Sequence, residues 1–218
     1  MPNGEHHLIE HLFAANSYFD GRFCYQRQKY LALAGLTLDR HLAVDVGGHV
    51  GLWSWQMAHD FERVIAFEPV AEHRACFVKN MDPKLPGVVD LHGYALGAET
   101  KLVSLTRLTR DSSGNTAIDP PGSKTRSPLV EQFCLDDVVL PMPISALKID
   151  CEGYELFVVK GGERTIRKDR PAICIEQKPE TDMERRYGVR VRGAVDLLVS
   201  WGAKVRGEMV QDYFLSWD

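Results

Sequence analysis

The sequence predicts an α/β fold: a mostly parallel seven-stranded sheet with helices on both faces and an antiparallel hairpin at the C-terminus. Three observations predict it. Short apolar runs that reach an acid recur at Leu42–Val46, Arg63–Glu68, Ala146–Asp150 and Ala172–Glu176. Segments of helical character separate them, as parallel strands with right-handed crossovers require. Ala203–Val210 and Tyr213–Trp217, joined by Gln211-Asp212, then alternate in the manner of a β-hairpin.

Residues 1–40 predict an N-terminal helical extension, with a break near Asp20-Gly21, ahead of one catalytic-sized domain over 41–218. Leu42-Ala43-Val44-Asp45-Val46 reads as a buried strand, Gly47-Gly48-His49-Val50-Gly51 as a tight turn, and Leu52–His59 as the helix that follows. Arg63–Phe67 is a second strand, stopped by Pro69, and Ala71–Asn80 a polar-faced helix. Val88–Leu96 predicts a third strand, and Leu102–Thr106 is β-like. Arg110–Arg126 is rich in Ser, Gly, Pro and Thr and reads as a long loop, a candidate lid or substrate loop over 107–128. Gln132–Leu135 resumes a strand. Ala146–Asp150 follows, then a helix reaching about Lys168, the strand Ala172–Glu176, and a helix over Arg192–Trp201.

Composition narrows the class of molecule. Hydrophobic residues at 44% and charged residues at 26% are those of a soluble globular protein. A net charge of −4 gives no whole-molecule attraction to nucleic acid or anionic membrane. No apolar run is long enough to span a bilayer, and the first ten residues carry no signal-peptide core. Cys24, Cys76, Cys134, Cys151 and Cys174 include no CxxC pair, so neither a zinc site nor a disulfide framework is expected, and a cytoplasmic setting is the default. His7 and His11 share a helical spacing but lack a third ligand, so no metal is expected there.

The acids carry the functional argument. Ligands of open α/β sheets bind outside the carboxyl ends of the strands. Asp45, Glu68, Asp150 and Glu176 therefore converge on one crevice. The glycine order is Asp-x-Gly-x-His-x-Gly, which fails the G-x-G-x-x-G pattern of dinucleotide sites. An acid two residues before the first glycine suits a cationic ligand end and repels a pyrophosphate. Glu68, at the end of the next strand, is placed to accept two ribose hydroxyls. A cationic amino acid joined to a ribose describes S-adenosyl-L-methionine.

From Ala43 to about Lys178 the sequence resembles the FkbM-type S-adenosylmethionine-dependent methyltransferases. The carriers are Val44–Gly51, Ile65–Pro69, Ala95-Leu96-Gly97, Leu135-Asp136-Asp137 and, most specific, Leu147–Glu155, with Gly161, Arg170-Pro171 and Glu176 after them. The resemblance implies the Rossmann-like class I methyltransferase fold. It implies that Gly47 and Gly51 shape the cofactor turn, with Gly48 and His49 between them among the cofactor-binding residues, that Asp45 lies near the methionine end, Glu68 on the ribose, and Tyr94 and Ala95 beside the adenine. The family usually has Ala-Asn where this chain has Gly48-His49, so His49 either replaces the asparagine or begins the helix.

Methyl transfer is mostly positioning, with removal of a proton where the acceptor is a hydroxyl. Asp150 is the first candidate for base or acceptor-orienting residue, with Lys148 on the same strand face and Glu152 and Glu176 as second candidates. Glu155 is expected to be structural. The expected acceptor is a hydroxyl of a small molecule or sugar. Arg107, Arg110, Lys124 and Arg126, with Arg185, Arg186, Arg190 and Arg192, also admit an RNA or nucleotide-containing substrate, although solvated surface charge is the favoured reading. A binding module without catalysis is a further reading. Tyr213, Phe214 and Trp217 read equally as sheet core or as a homodimer contact.

Overall fold

The computed structural model describes residues 2, 5, 8, 12, 18–19, 22–109, 112–123, 129–178 and 180–217. His7, His11, Asp20, Gly21, Arg110, Lys124 and Arg126 lie outside the described residues. In chain order the elements are β1 (Tyr18–Phe19), β2 (Arg22–Phe23), α1 (Arg27–Leu36), β3 (Leu42–Val46), α2 (Leu52–Asp60), β4 (Arg63–Phe67), α3 (Ala71–Asn80) and β5 (Val89–His92). Then come β6 (Ala95–Leu96), β7 (Lys101–Arg107), β8 (Thr116–Ile118), β9 (Leu129–Phe133), a 3-10 turn at Leu135–Asp137, and β10 (Ile144–Ile149). The chain continues through α4 (Glu155–Gly161), α5 (Glu163–Asp169), β11 (Ala172–Glu176), α6 (Glu180–Tyr187), α7 (Gly193–Ser200), β12 (Lys204–Met209) and β13 (Asp212–Ser216).

The main sheet has seven strands in the order β12-β13-β11-β10-β3-β4-β5. β10, β11, β3, β4 and β5 pair in parallel, whereas β13 runs antiparallel to β11 and β12 antiparallel to β13. The predicted fold class and closing hairpin are thus present. β3 sits between β10 and β4, the point where strand order reverses and where a crevice opens at the carboxyl ends.

All five residues of β3 are buried because helices cover both faces of the sheet. One face presents Leu42, Val44, Val46, Leu147, Ile149, Ile173 and Ile175 to Val158 and Val159 of α4, Ile166 of α5 and Leu198 of α7. The other presents the small residues Ala43, Ala146 and Ala172, which leave room for Tyr30, Leu33, Trp53 and Met57 of α1 and α2. α1 therefore contributes directly to the core of the sheet.

Four local expectations are corrected. The segment before α1 forms the β1–β2 pair, Tyr18 opposite Phe23, where helix was expected. The strand expected over Val88–Leu96 divides at Gly93-Tyr94, with β5 joining the main sheet and β6 a second sheet of order β6-β9-β7-β8. Within the stretch read as loop, β8 pairs antiparallel with β7, Leu105 opposite Ile118. The helix expected to reach Lys168 is two short helices meeting at Gly162.

Candidate active site

A cavity of about 270 Å³ lies above the crevice. Its floor is the β3–α2 turn. Gly47 has φ +82°, and a Cβ there would lie 1.9 Å from the Asp150 carbonyl oxygen, so only glycine lets the turn pass this close to the end of β10. Gly47 N and Gly48 N both donate to the Phe67 carbonyl at 3.0 Å, which ties the turn to β4. Gly51, at φ +87°, starts α2 and stands outside the cavity lining.

His49 takes φ 48°, a left-handed conformation that Asn and His tolerate better than most side chains. That explains why histidine can stand where the related motif carries asparagine. Its backbone N–H donates to Glu68 Oε2 at 2.8 Å, and its ring Nε2 lies 3.0 Å from Ser113 Oγ. Burial first, and the neighbouring His73 next, push the His49 imidazole down to about 4, so it is neutral at physiological pH.

Glu68 ends β4 with 5% exposure. Besides His49 N, its carboxylate accepts from Val70 N at 2.8 Å and faces His73 Nδ1 at 3.2 Å. A carboxylate offers about four acceptor sites. Three are engaged here, which leaves one for a ligand hydroxyl unless His73 gives way.

Asp45 does not line the cavity. It is fully buried, its Oδ2 accepting from Ser54 Oγ at 2.6 Å and its Oδ1 paired with Lys148 Nζ at 3.2 Å. Asp45 and Lys148 are register partners on β3 and β10, so their side chains share one face. Lys148 also donates to the Gly47 carbonyl at 3.0 Å and stands 3.7 Å from Asp150 Oδ2. Burial alone would push its pKa down, but Asp45 and Asp150 outweigh this and raise it. Lys148 is a fixed cation that pins the turn to the sheet.

Asp150, Glu152 and Glu176 converge at the other end of the cavity. Lys178 Nζ lies 3.2 Å from Glu152 Oε2 and 3.0 and 2.9 Å from the two oxygens of Glu176. Burial would raise Asp150, yet Lys148 and Lys178 together hold it below its usual value. Burial and then the Asp150 charge push Glu152 up to about 7. The same two causes drive Glu176 well above the carboxylate range. One crevice thus gathers three carboxyl groups that share two lysines, with the charged form favoured at Asp150 and disfavoured by burial at Glu152 and Glu176.

Glu152 has φ 55°, and the tight turn it makes is held from below by Glu155. Glu155 Oε1 accepts from Cys151 N at 2.9 Å and Gly153 N at 3.0 Å. A carboxyl oxygen from each of Asp150, Glu155 and Glu176 lies within 4.8 Å of the others, a donor set that could hold a metal ion and that the sequence did not suggest.

Ala95 lines the cavity, whereas Tyr94 turns its ring edge-on to Phe133 at 4.7 Å and stays out of the lining. Sequence reasoning missed Tyr25, Gln26 and Glu5, which reach the cavity from distant parts of the chain; Ser112, Gly114, Asn115 and Thr116, which also line it, fall within the 107–128 loop read as a candidate lid or substrate loop. Nothing local marks Tyr25, Gln26 or Glu5. Lys178, two residues after Glu176, was legible as its neighbour and passed over. Of the arginines weighed for nucleic acid, Arg186 donates to the Ile118 carbonyl at 3.1 Å and Arg192 lies over the Tyr213 ring. Among the described residues no helix is long and apolar enough to cross a membrane.

Comparison with known proteins places this geometry. The chain is similar to a methyltransferase FkbM structure from Methylobacillus flagellatus KT, at 20% identity and TM-score 0.50, over 83% of this chain and 45% of that one. The chain thus spans under half the length of that protein. It is similar to a precorrin-6y C5,15-methyltransferase from Geobacter metallireducens GS-15, at 13% identity and TM-score 0.52, over 94% and 95% of the two chains. A Streptococcus mutans protein solved in complex with SAH shares the fold at 10% identity and TM-score 0.52, over 88% and 95%. At these identities the likeness is one of fold. No curated protein sequence matches the chain. The model of the methyltransferase FkbM domain matches residues 45–200, from the buried acid of β3 to the end of α7, and the chain belongs to that family, whose cofactor is S-adenosylmethionine.

Proposed function

We propose that this chain transfers the methyl group of S-adenosylmethionine to a hydroxyl of a small molecule or sugar. The carrying observation is the convergence of Asp150, Glu152 and Glu176 on one end of the cavity, held there by Lys148 and Lys178. The residues fit the cofactor: the close approach at Gly47 opens the floor, Glu68 offers an acceptor site at the β4 end, and the carboxylates supply negative charge at the β10 end. When bound, S-adenosylmethionine supplies an electrophilic methyl group on a sulfonium.

The chain's own residues orient the nucleophile and remove its proton. Asp150, ionised and about a third exposed toward the cavity, accepts a hydrogen bond from the acceptor hydroxyl and aims its oxygen. Glu152, poised near neutrality, takes the proton as the new O–C bond forms, because a base works best when its pKa lies near the working pH. Lys148 and Lys178 hold the carboxylates in place. Glu68 takes a ribose hydroxyl, and Ala95 flanks the base.

Titration calorimetry with S-adenosylhomocysteine and with NAD, followed by transfer of labelled methyl to a panel of sugars and small alcohols, tests the reading. Binding of S-adenosylhomocysteine but not NAD, with label on an acceptor oxygen, is expected. Binding without transfer to any acceptor would favour a module without catalysis. Label found only on RNA or nucleotides would replace the acceptor class.

A further inference from the structure

His49 is used by the cofactor turn only through its backbone, and its side chain points elsewhere. Its Nε2 lies 3.0 Å from Ser113 Oγ. Ser113 in turn donates twice to Glu5 Oε2, from its backbone N at 2.6 Å and from Oγ at 2.8 Å. Glu5 Oε1 accepts from Leu8 N at 3.0 Å. Proton counting fixes the direction of this chain. The Ser113 hydroxyl has one hydrogen, given to Glu5, so toward His49 it can only accept. His49 therefore carries its proton on Nε2 and donates.

The three groups join parts of the chain that are far apart in sequence. His49 belongs to the floor of the cavity, Ser113 to the segment between β7 and β8, and Glu5 to the N-terminal segment. They are enclosed: Glu5 is 4% and Ser113 2% exposed. Glu5, Leu8, Ser112, Gly114, Asn115 and Thr116 all line the cavity together with the turn, and these residues form its roof. The Ser113 side of the roof is held by its own bonds, since Thr116 Oγ1 donates to the Ser113 carbonyl at 2.8 Å and Leu108 N to the Asn115 carbonyl at 2.7 Å.

We propose that His49 is a positioning residue that latches the Ser113 segment, and Glu5 through it, over the cofactor cavity. The latch makes the floor and the roof one cooperative unit, so that cofactor release requires the His49–Ser113–Glu5 chain to open. The inference about release rests on the proposed cofactor reading, and the latch itself stands on the ligand-free geometry. Asparagine at position 49 would tolerate the left-handed turn but is too short to bridge to Ser113.

The test uses the full chain, its His49→Asn and Ser113→Ala variants, and the double variant. Amide hydrogen exchange over residues 105–118 is followed without ligand, and the dissociation rate of S-adenosylhomocysteine is measured by stopped flow. Each single variant is expected to raise exchange in 112–118 by about 3- to 10-fold, the range for losing one hydrogen bond, and to speed dissociation by a similar factor. Association is expected to stay within about two-fold, and the double variant to match the worse single one, since both break the same link. Unchanged exchange in His49→Asn, or full additivity in the double variant, would overturn the latch. Exchange that rises while dissociation stays constant would overturn its role in release. Failure of the native protein to bind S-adenosylhomocysteine would overturn the methyltransferase reading and, with it, the role in release; the exchange measurements still decide the latch.

Discussion

Asp45 and Glu152 show how similar acids acquire opposite roles from their surroundings. Asp45 lies within β3 and Glu152 in the turn after β10, and both read as site acids, yet Asp45 is walled in by Ser54 and Lys148 while Glu152 faces the cavity. Position along a strand was legible; which neighbour strand supplies a counter-charge was not, because Lys148 is 103 residues from Asp45 and meets it only through the β3–β10 register. Two predictions follow from these environments. Lys148→Met would leave Asp45 buried and unpaired and is expected to cost roughly 3–5 kcal/mol, whereas Asp45→Asn together with Lys148→Met recovers most of that loss. Urea unfolding of the three proteins measures it, and a single-variant cost below about 1 kcal/mol would refute the pinning role. For Glu152, kcat/KM should rise as pH passes about 7, where its carboxyl becomes a base. Glu152→Gln is expected to lower kcat/KM by about 10²- to 10⁴-fold and to abolish that rise. A surviving rise would move the base to another group.

The turn Cys151–Tyr154 and the start of α4 form the element on which the carboxylate end depends. Glu155 caps two of its N–H groups through Oε1, while its buried Oε2 has no hydrogen-bond partner. Burial, with the Asp150 charge adding to it, pushes Glu155 up to about 7 against the pull of those N–H donors. The ordinary value is near 4.5, so between about pH 4.5 and 7 the folded state keeps a proton that the unfolded chain has lost. Stability from this group is therefore full below pH 4.5 and falls as pH rises through 7, by roughly 3 kcal/mol in all. Glu155→Gln keeps an oxygen for the two N–H groups and removes the charge. Its thermal midpoint is expected to stay flatter between pH 5 and 8 than that of the native protein; identical slopes would show that Glu155 titrates normally. The sequence placed a helix after Asp150 but neither this turn nor the break at Gly162. β8 was not legible, because three residues, Thr116-Ala117-Ile118, carry too little pattern and are held by pairing with β7 rather than by their own propensity.

At the scale of the whole molecule, the strand order of the main sheet decides what the C-terminal hairpin does. Of the aromatic residues that read equally as core or dimer contact, Tyr213 and Phe214 belong to the core, Phe214 with 2% exposure on the α1 face, and the partly buried Trp217 donates from Nε1 to the Pro171 carbonyl at 3.0 Å. Their burial could not be read from sequence, since strand alternation gives a face but not the layer that covers it. The same hairpin leaves β12 at the sheet edge, with all of its residues except Met209 exposed and with Lys204, Arg206 and Glu208 spaced two apart along it. An edge strand offers unpaired backbone groups to a second copy, and charges along it oppose that pairing. Removing them tests whether the edge is guarded by charge or by shape. Lys204→Val, Arg206→Val and Glu208→Val together should favour edge-to-edge association, seen in sedimentation velocity as a concentration-dependent shift to dimers and larger species. The S-adenosylhomocysteine affinity of the triple variant should be unchanged, because the cavity lies beyond β13 and β11 at the carboxyl ends of the parallel strands. A triple variant that sediments like the native protein at every concentration would mean that the twist of the hairpin, not its charge, keeps the edge unpaired.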